Sequence, residues 1–151
     1  LFSCDSKKKD EGGNVSADGQ KADDNKISIV GKWYRWSKEN GYSEYDIDSK
    51  NVTVFNEKMG RNKLPYKIEQ DTFRYLTIDY AAKITLEGDS IVLRDADRIA
   101  TLKRFNDPVF DRIPDENNPE LFDDYIRGFD ERAGRYPKIP NANVPGIPLP
   151  Q

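Results

Sequence analysis

The stretch that decides the fold opens Gly31-Lys32-Trp33-Tyr34-Arg35-Trp36 and closes Ala100-Thr101-Leu102-Lys103-Arg104-Phe105. Between these ends, β-branched and aromatic residues come in short runs separated by turn-forming residues. Ile27 to Trp36 reads as a strand, and Asn40-Gly41 is a strong hairpin signal that sends Tyr42 to Ile47 back antiparallel. Asp48-Ser49-Lys50-Asn51 turns the chain into Val52 to Phe55, and Met59-Gly60-Arg61-Asn62 turns it into Leu64 to Ile68. Pro65 cannot donate to a ladder, which predicts an edge or a bulge there. Thr72 to Ile78, Ala82 to Leu86, Ser90 to Leu93 and Ile99 to Phe105 complete the series, with Glu87-Gly88-Asp89 and Asp95-Ala96-Asp97 as turns. About eight strands at spacings of roughly 8 to 12 residues, with no helix between them, predict a mainly β antiparallel up-and-down meander. Such a meander closes into a small barrel or remains a strongly curved sheet, and connections this short exclude parallel crossovers.

Outward from this core the composition changes. Residues 4–26 carry five lysines and six acids with few apolar side chains, too few to offset the entropy of ordering, so they read as a disordered charged tether. Residues 27–107 form the β domain, with 14 basic and 13 acidic residues, and 108–151 hold five basic and eight acidic ones. No segment has the basic excess that binding phosphates requires, so nucleic acid is not an expected partner. The chain has no histidine and one cysteine, which excludes an intrachain disulfide, a His-based triad and a cysteine–histidine zinc cluster.

After residue 107 the apolar period becomes helical. Asn118 is placed to cap, Pro119 to occupy the first helical position and Glu120 to meet the positive end of the dipole. Leu121, Phe122, Tyr125, Ile126 and Phe129 share one face, Arg132 and Arg135 lie near the carboxyl end, and Gly134 is placed to stop the helix. A helix of about fifteen residues is marginal alone, so this face has to dock, over a barrel end or an open sheet edge. The loop and helix take in residues 108–136. Residues 137–151 hold five prolines and predict an extended tail.

Leu1-Phe2-Ser3-Cys4 is similar to the lipobox of bacterial lipoprotein signal peptides, with 1–3 as the end of the signal and Cys4 as the acylated residue. Acyl chains on Cys4 would anchor the chain at about 0.8 kcal/mol per buried methylene. The following Asp5-Ser6-Lys7-Lys8-Lys9-Asp10-Glu11 resembles the charged segments of surface lipoproteins of the Bacteroidetes group. Gly31-Lys32-Trp33, with Arg104 on the last strand, is similar to the Gly-x-Trp and late arginine of lipocalins, and most of all to the lipocalin-like domains of bacterial lipoproteins. That resemblance implies a small barrel in the bacterial envelope, on an outer-membrane lipoprotein facing the periplasm or the surface.

The residues themselves define the candidate sites. An arginine over an indole gains about 0.5 to 2 kcal/mol, which makes Trp33 and Arg104 a structural pair at one barrel end. Ile84, Leu86, Ile91, Leu93, Ala100 and Leu102 alternate with polar residues and form the candidate lumen lining. Tyr34, Trp36, Tyr42 and Tyr45 crowd the first hairpin and form a candidate contact surface. The carboxylates of Asp46 with Asp48, Asp95 with Asp97, and Asp115 through Asp124 lack the calcium-loop spacing and read as turn and cap residues. No catalytic residue, metal site or cofactor is expected. Two functions stay open: a non-enzymatic, lipid-anchored binding domain for a small apolar or amphipathic ligand, or a protein-interaction module using exposed aromatics and the helix.

Overall fold

The computed structural model describes residues 26–106 and 109–135. The segments expected as a signal end at 1–3, a lipidation residue at Cys4, a tether over 4–26 (all but its last residue) and a tail over 137–151 lie outside the described residues. The strands are β1 (Gly31–Ser37), β2 (Gly41–Ile47), β3 (Asn51–Asn56), β4 (Gly60–Glu69), β5 (Thr72–Tyr75), β6 (Ala81–Glu87), β7 (Ser90–Arg94) and β8 (Ile99–Arg104), followed by the helix α1 (Pro119–Arg135). They pair in sequence order as a closed antiparallel barrel. Closure is made by Trp33 opposite Arg104 and Tyr34 opposite Lys103. The molecule is therefore mainly β, and the curved-sheet alternative gives way to a closed barrel without free edges.

Several strand limits differ from the sequence reading for identifiable reasons. Residues 26–30 are irregular, and β1 begins at Gly31, whose φ of 148° is a conformation L side chains rarely adopt. The β3–β4 turn is Glu57-Lys58-Met59, with Gly60 at φ 70° opening β4. Pro65 sits at the last β4 pair with β3, opposite Asn51, one residue before the β5 ladder begins at Tyr66 opposite Tyr75. The missing N–H thus falls where β4 changes partner. β5 stops at Tyr75 because the Tyr75 amide donates to the Tyr80 carbonyl across the loop, leaving Leu76 and Ile78 exposed.

Two cores share one wall. The inner one gathers Ile29, Trp33, Ile47, Val52, Tyr66, Phe73, Ile84, Ile91 and Leu102 inside the barrel. The outer one joins Tyr42, Phe55 and Phe105 to Ile113, Tyr125 and Phe129. The helix therefore docks on the outer face of β1–β3 rather than over a barrel end, because a closed barrel offers no edge and this wall presents apolar rings on its outer side. Phe129 lies 4.8 Å from the Phe55 ring and 5.2 Å from that of Tyr42, and Tyr125 meets Phe55 edge-on at 5.6 Å. Full burial of one such ring contributes about 1.5–3 kcal/mol. The Asn118 side chain accepts from the Leu121 amide at 3.5 Å as the cap, while Leu121 itself is exposed and Gly134 lies within the last turn.

Candidate functional site

The even spacing of an up-and-down meander puts the β1–β2, β3–β4, β5–β6 and β7–β8 turns at one end of the barrel and the remaining turns, with the incoming 26–30 segment, at the other. That second end is closed. Trp33, only 1% exposed, donates from its indole N–H to the Ile29 carbonyl at 2.9 Å. The Arg104 guanidinium lies 4.3 Å from the Trp33 ring centre. A Cβ on Gly31 would stand 3.1 Å from an Arg104 nitrogen and 3.5 Å from the indole nitrogen. The glycine of Gly-x-Trp is thus required by the arginine that lies across the tryptophan as well as by its φ.

Beyond this plug the lumen holds a cavity of about 190 Å³. Its deeper wall is apolar: Ile29, Ile47, Val52, Phe73, Ile84, Ile91 and Leu102. Of the six residues read as lining, Ile84, Ile91, Leu93, Ala100 and Leu102 face it. Leu86 does not. It pairs with Ile91 on the inward side but lies next to the β6–β7 turn and is 45% exposed.

Four polar side chains also line the cavity: Arg35, Tyr45, Tyr75 and Tyr80. Arg35 follows Trp33 by two residues and so shares its inward side. Burial raises the Tyr45 phenol above its ordinary range, while the charge of Arg35 and hydrogen bonds to Arg35 and Ser43 pull it back. Burial likewise raises Tyr75, with Tyr45 and Tyr80 adding to the effect. Tyr80 is raised by burial and by Asp95, against the opposing charges of Arg35 and Arg98. All three phenols stay protonated at neutral pH and can donate hydrogen bonds. The Tyr75 and Tyr80 rings are 5.7 Å apart, and Phe73 meets Tyr75 edge-on at 4.9 Å.

The candidate contact aromatics are redistributed. Tyr34, Trp36 and Tyr42 do not form an exposed patch: they belong to the outer core covered by α1 and the 109–113 segment, with Tyr34 4.9 Å from Phe105. Tyr45 turns into the lumen. Their density in the first hairpin reflects a wall packed on both faces.

Sequence reasoning missed the charged centre of this outer core. Glu44 is fully buried, and Arg132 reaches it through Nε at 3.1 and 2.9 Å to its two carboxylate oxygens and through Nη2 at 2.8 Å. The Tyr125 hydroxyl donates to Glu44 at 3.4 Å, and Arg132 also donates to the Val109 carbonyl at 3.4 Å. Burial raises the Glu44 carboxyl, with Arg132 and Tyr125 pulling it down. For Arg132, burial works to lower the pKa, but the bonds and charge of Glu44 hold it above the ordinary value, so the guanidinium is firmly cationic.

Most of the acids read as turn and cap residues serve turns, but Asp46 lies within β2 and Asp124 within α1, where it pairs with Arg127. Asp48 accepts from the Lys50 and Asn51 amides, both at 2.7 Å, and Asp95 from those of Asp97 and Arg98 at 2.9 and 2.8 Å. Asp46 pairs with Lys32 at 3.1 Å, and Asp115 accepts from the Asn117 amide at 3.0 Å. No helix among the described residues is long and apolar enough to cross a membrane.

No protein family, curated protein or solved structure matches the chain. The class is therefore defined by the geometry alone. An eight-stranded meander barrel, plugged at one end and hollow towards the other, fits a lipocalin-like binding fold in general.

Proposed function

We propose that this protein is a lipid-anchored, non-enzymatic binding domain of a bacterial envelope, attached through Cys4 and holding a small apolar or amphipathic ligand in its barrel. The observation that supports binding is the lumen: about 190 Å³ above the Trp33–Arg104 plug, apolar in its depth and polar in one sector. A dry apolar cavity of about 150 Å³ accommodates benzene. On that scale the ligand has about eight non-hydrogen atoms. The Leu1-Phe2-Ser3-Cys4 tetrapeptide and the charged run after it support attachment to the outer membrane, facing the periplasm or the surface. The rival reading, a protein-interaction module built on the first-hairpin aromatics and the helix, loses its support because these two surfaces cover each other.

Ala100 faces the cavity, so Ala100→Phe places a ring inside it. Ligand-observed NMR titration with a probe of matching size, such as toluene, should show saturable binding by the parent and none by Ala100→Phe, whose near-ultraviolet circular dichroism stays native. Equal binding by both proteins would refute lumen binding. Anchoring is tested in a bacterial host by metabolic labelling with an alkyne fatty acid. Label is expected on the parent and absent from Cys4→Ala, and label retained in Cys4→Ala would refute it.

A further inference from the structure

We infer that the lumen selects an anion, a short monocarboxylic acid with an aliphatic or aryl body, and that Arg35 is the residue that recognises its carboxylate. The inference deepens the lumen-binding reading and rests on it. Arg35 is the cation among the residues lining the cavity, and among the described residues it forms no ion pair. Its influence falls on phenols: its charge and hydrogen bonding draw the Tyr45 phenol down against burial, and its charge acts on Tyr80. A half-buried guanidinium facing an apolar hollow with a neutral partner retains donors for a planar carboxylate, which it can grip in two places.

The phenols complete the anion site. Tyr45, Tyr75 and Tyr80 share the cavity with Arg35, and each supplies an O–H donor at neutral pH. The opposite wall, including Phe73, Ile84 and Ile91, offers only hydrocarbon, so the ligand lies with its head at Arg35 and its body against these side chains. An amine would place its charge against the guanidinium. An alcohol would fill the same space but leave the arginine unpaired. The nearest charges at the rim, Asp95 and Arg98, oppose each other in their effect on Tyr80, and Asp95 is engaged by its own turn amides. The volume of about 190 Å³ suits an acid of about six carbons better than a long-chain lipid.

Calorimetric titration of the full chain at pH 7 with hexanoate, hexanol and hexylamine separates the two levels of the argument. Hexanoate is expected to bind about tenfold or more tightly than hexanol, and hexylamine more weakly than either. Arg35→Met, which keeps the stem, should abolish the preference for hexanoate while leaving hexanol affinity in place, and Arg35→Lys should restore part of it. Saturable hexanol binding by Arg35→Met also shows that the variant is folded. Equal affinity of the parent for hexanoate and hexanol, or hexanoate affinity unchanged in Arg35→Met, would overturn the anion site while leaving a lumen that binds. Absence of binding by all three probes would overturn the lumen reading itself and this inference with it.

Discussion

Replacing Arg132 with methionine should cost this protein a large share of its stability. The substitution keeps an unbranched apolar side chain but withdraws every Arg132 donor from Glu44, which is 0% exposed, and removes the guanidinium that lies over the Phe110 and Tyr125 rings. The carboxyl is left with the Tyr125 hydroxyl at 3.4 Å. Breaking a buried pair by removing one partner costs about 3–5 kcal/mol, against a total of about 5–15 kcal/mol for a domain. Removing both charges has a different effect. Glu44→Leu with Arg132→Met should be neutral to stabilising by about 1–4 kcal/mol, because the desolvation cost of both ions disappears. Urea denaturation at pH 7 measures each variant, and the two tryptophans divide the signal. Trp33 reports the barrel interior and Trp36 the helix-covered wall, so a Trp36→Phe background isolates the barrel. Acidification adds a sign test. Burial raises Glu44 above its unfolded value, so its contribution is fully present below the ordinary glutamate range and is lost as pH rises through the folded pKa. Protonating Glu44 should therefore not drive acid unfolding of the parent. A loss of under about 1 kcal/mol in Arg132→Met, or a double variant as unstable as the two single ones summed, would refute the coupling.

Three further substitutions probe the packing directly. Gly128→Ala would ordinarily gain about 1 kcal/mol in a helix, but its Cβ would lie 2.6 Å from Arg132 Nη1. Since Arg132 is pinned by Glu44, thermal melting should show destabilisation, and in an Arg132→Met background the usual gain should return. Gly31→Ala should cost about 1–3 kcal/mol, from its φ of 148° and the approach to Arg104, with a red shift of Trp33 emission. Asp48 is held below the ordinary aspartate range by the Lys50 amide, opposed by slight burial and aided by the Asn51 amide. Its contribution is present above the unfolded pKa and lost as pH falls through the folded one, so Asp48→Asn should flatten the stability profile below about pH 4 relative to the parent.

The alternation at Ile84, Ile91, Leu93, Ala100 and Leu102 was legible because β6 and β8 expose Lys83, Thr101 and Lys103 on the outside, and one buried face imposes period two on the chain; only Val92 on β7 is buried on the outer side. The first hairpin obeys a different constraint. Trp33, Tyr45 and Ile47 face inward while Tyr34, Trp36 and Tyr42 face the helix, so apolar residues fall on both sides and alternation gives no exposed set. Counting those aromatics as a contact surface treats the helix as docking elsewhere. Yet its apolar face and their excess are two halves of one interface. Glu44 lies beyond such reasoning: between Tyr42 and Tyr45 it reads as a solvated residue, and Arg132, 88 positions away, as a complement to the helix dipole. Neither residue carries a local sign of the other. Arg35 is the opposite case, since counting two from Trp33 puts a cation inside the barrel from the sequence alone. A strand that spends an inward position on arginine, where its neighbours place Trp33 and Tyr45, forgoes about 1.5–3 kcal/mol of apolar burial. Among the described residues no carboxylate pairs with it, and that inward cation without a counter-ion is what the proposed anion site would explain.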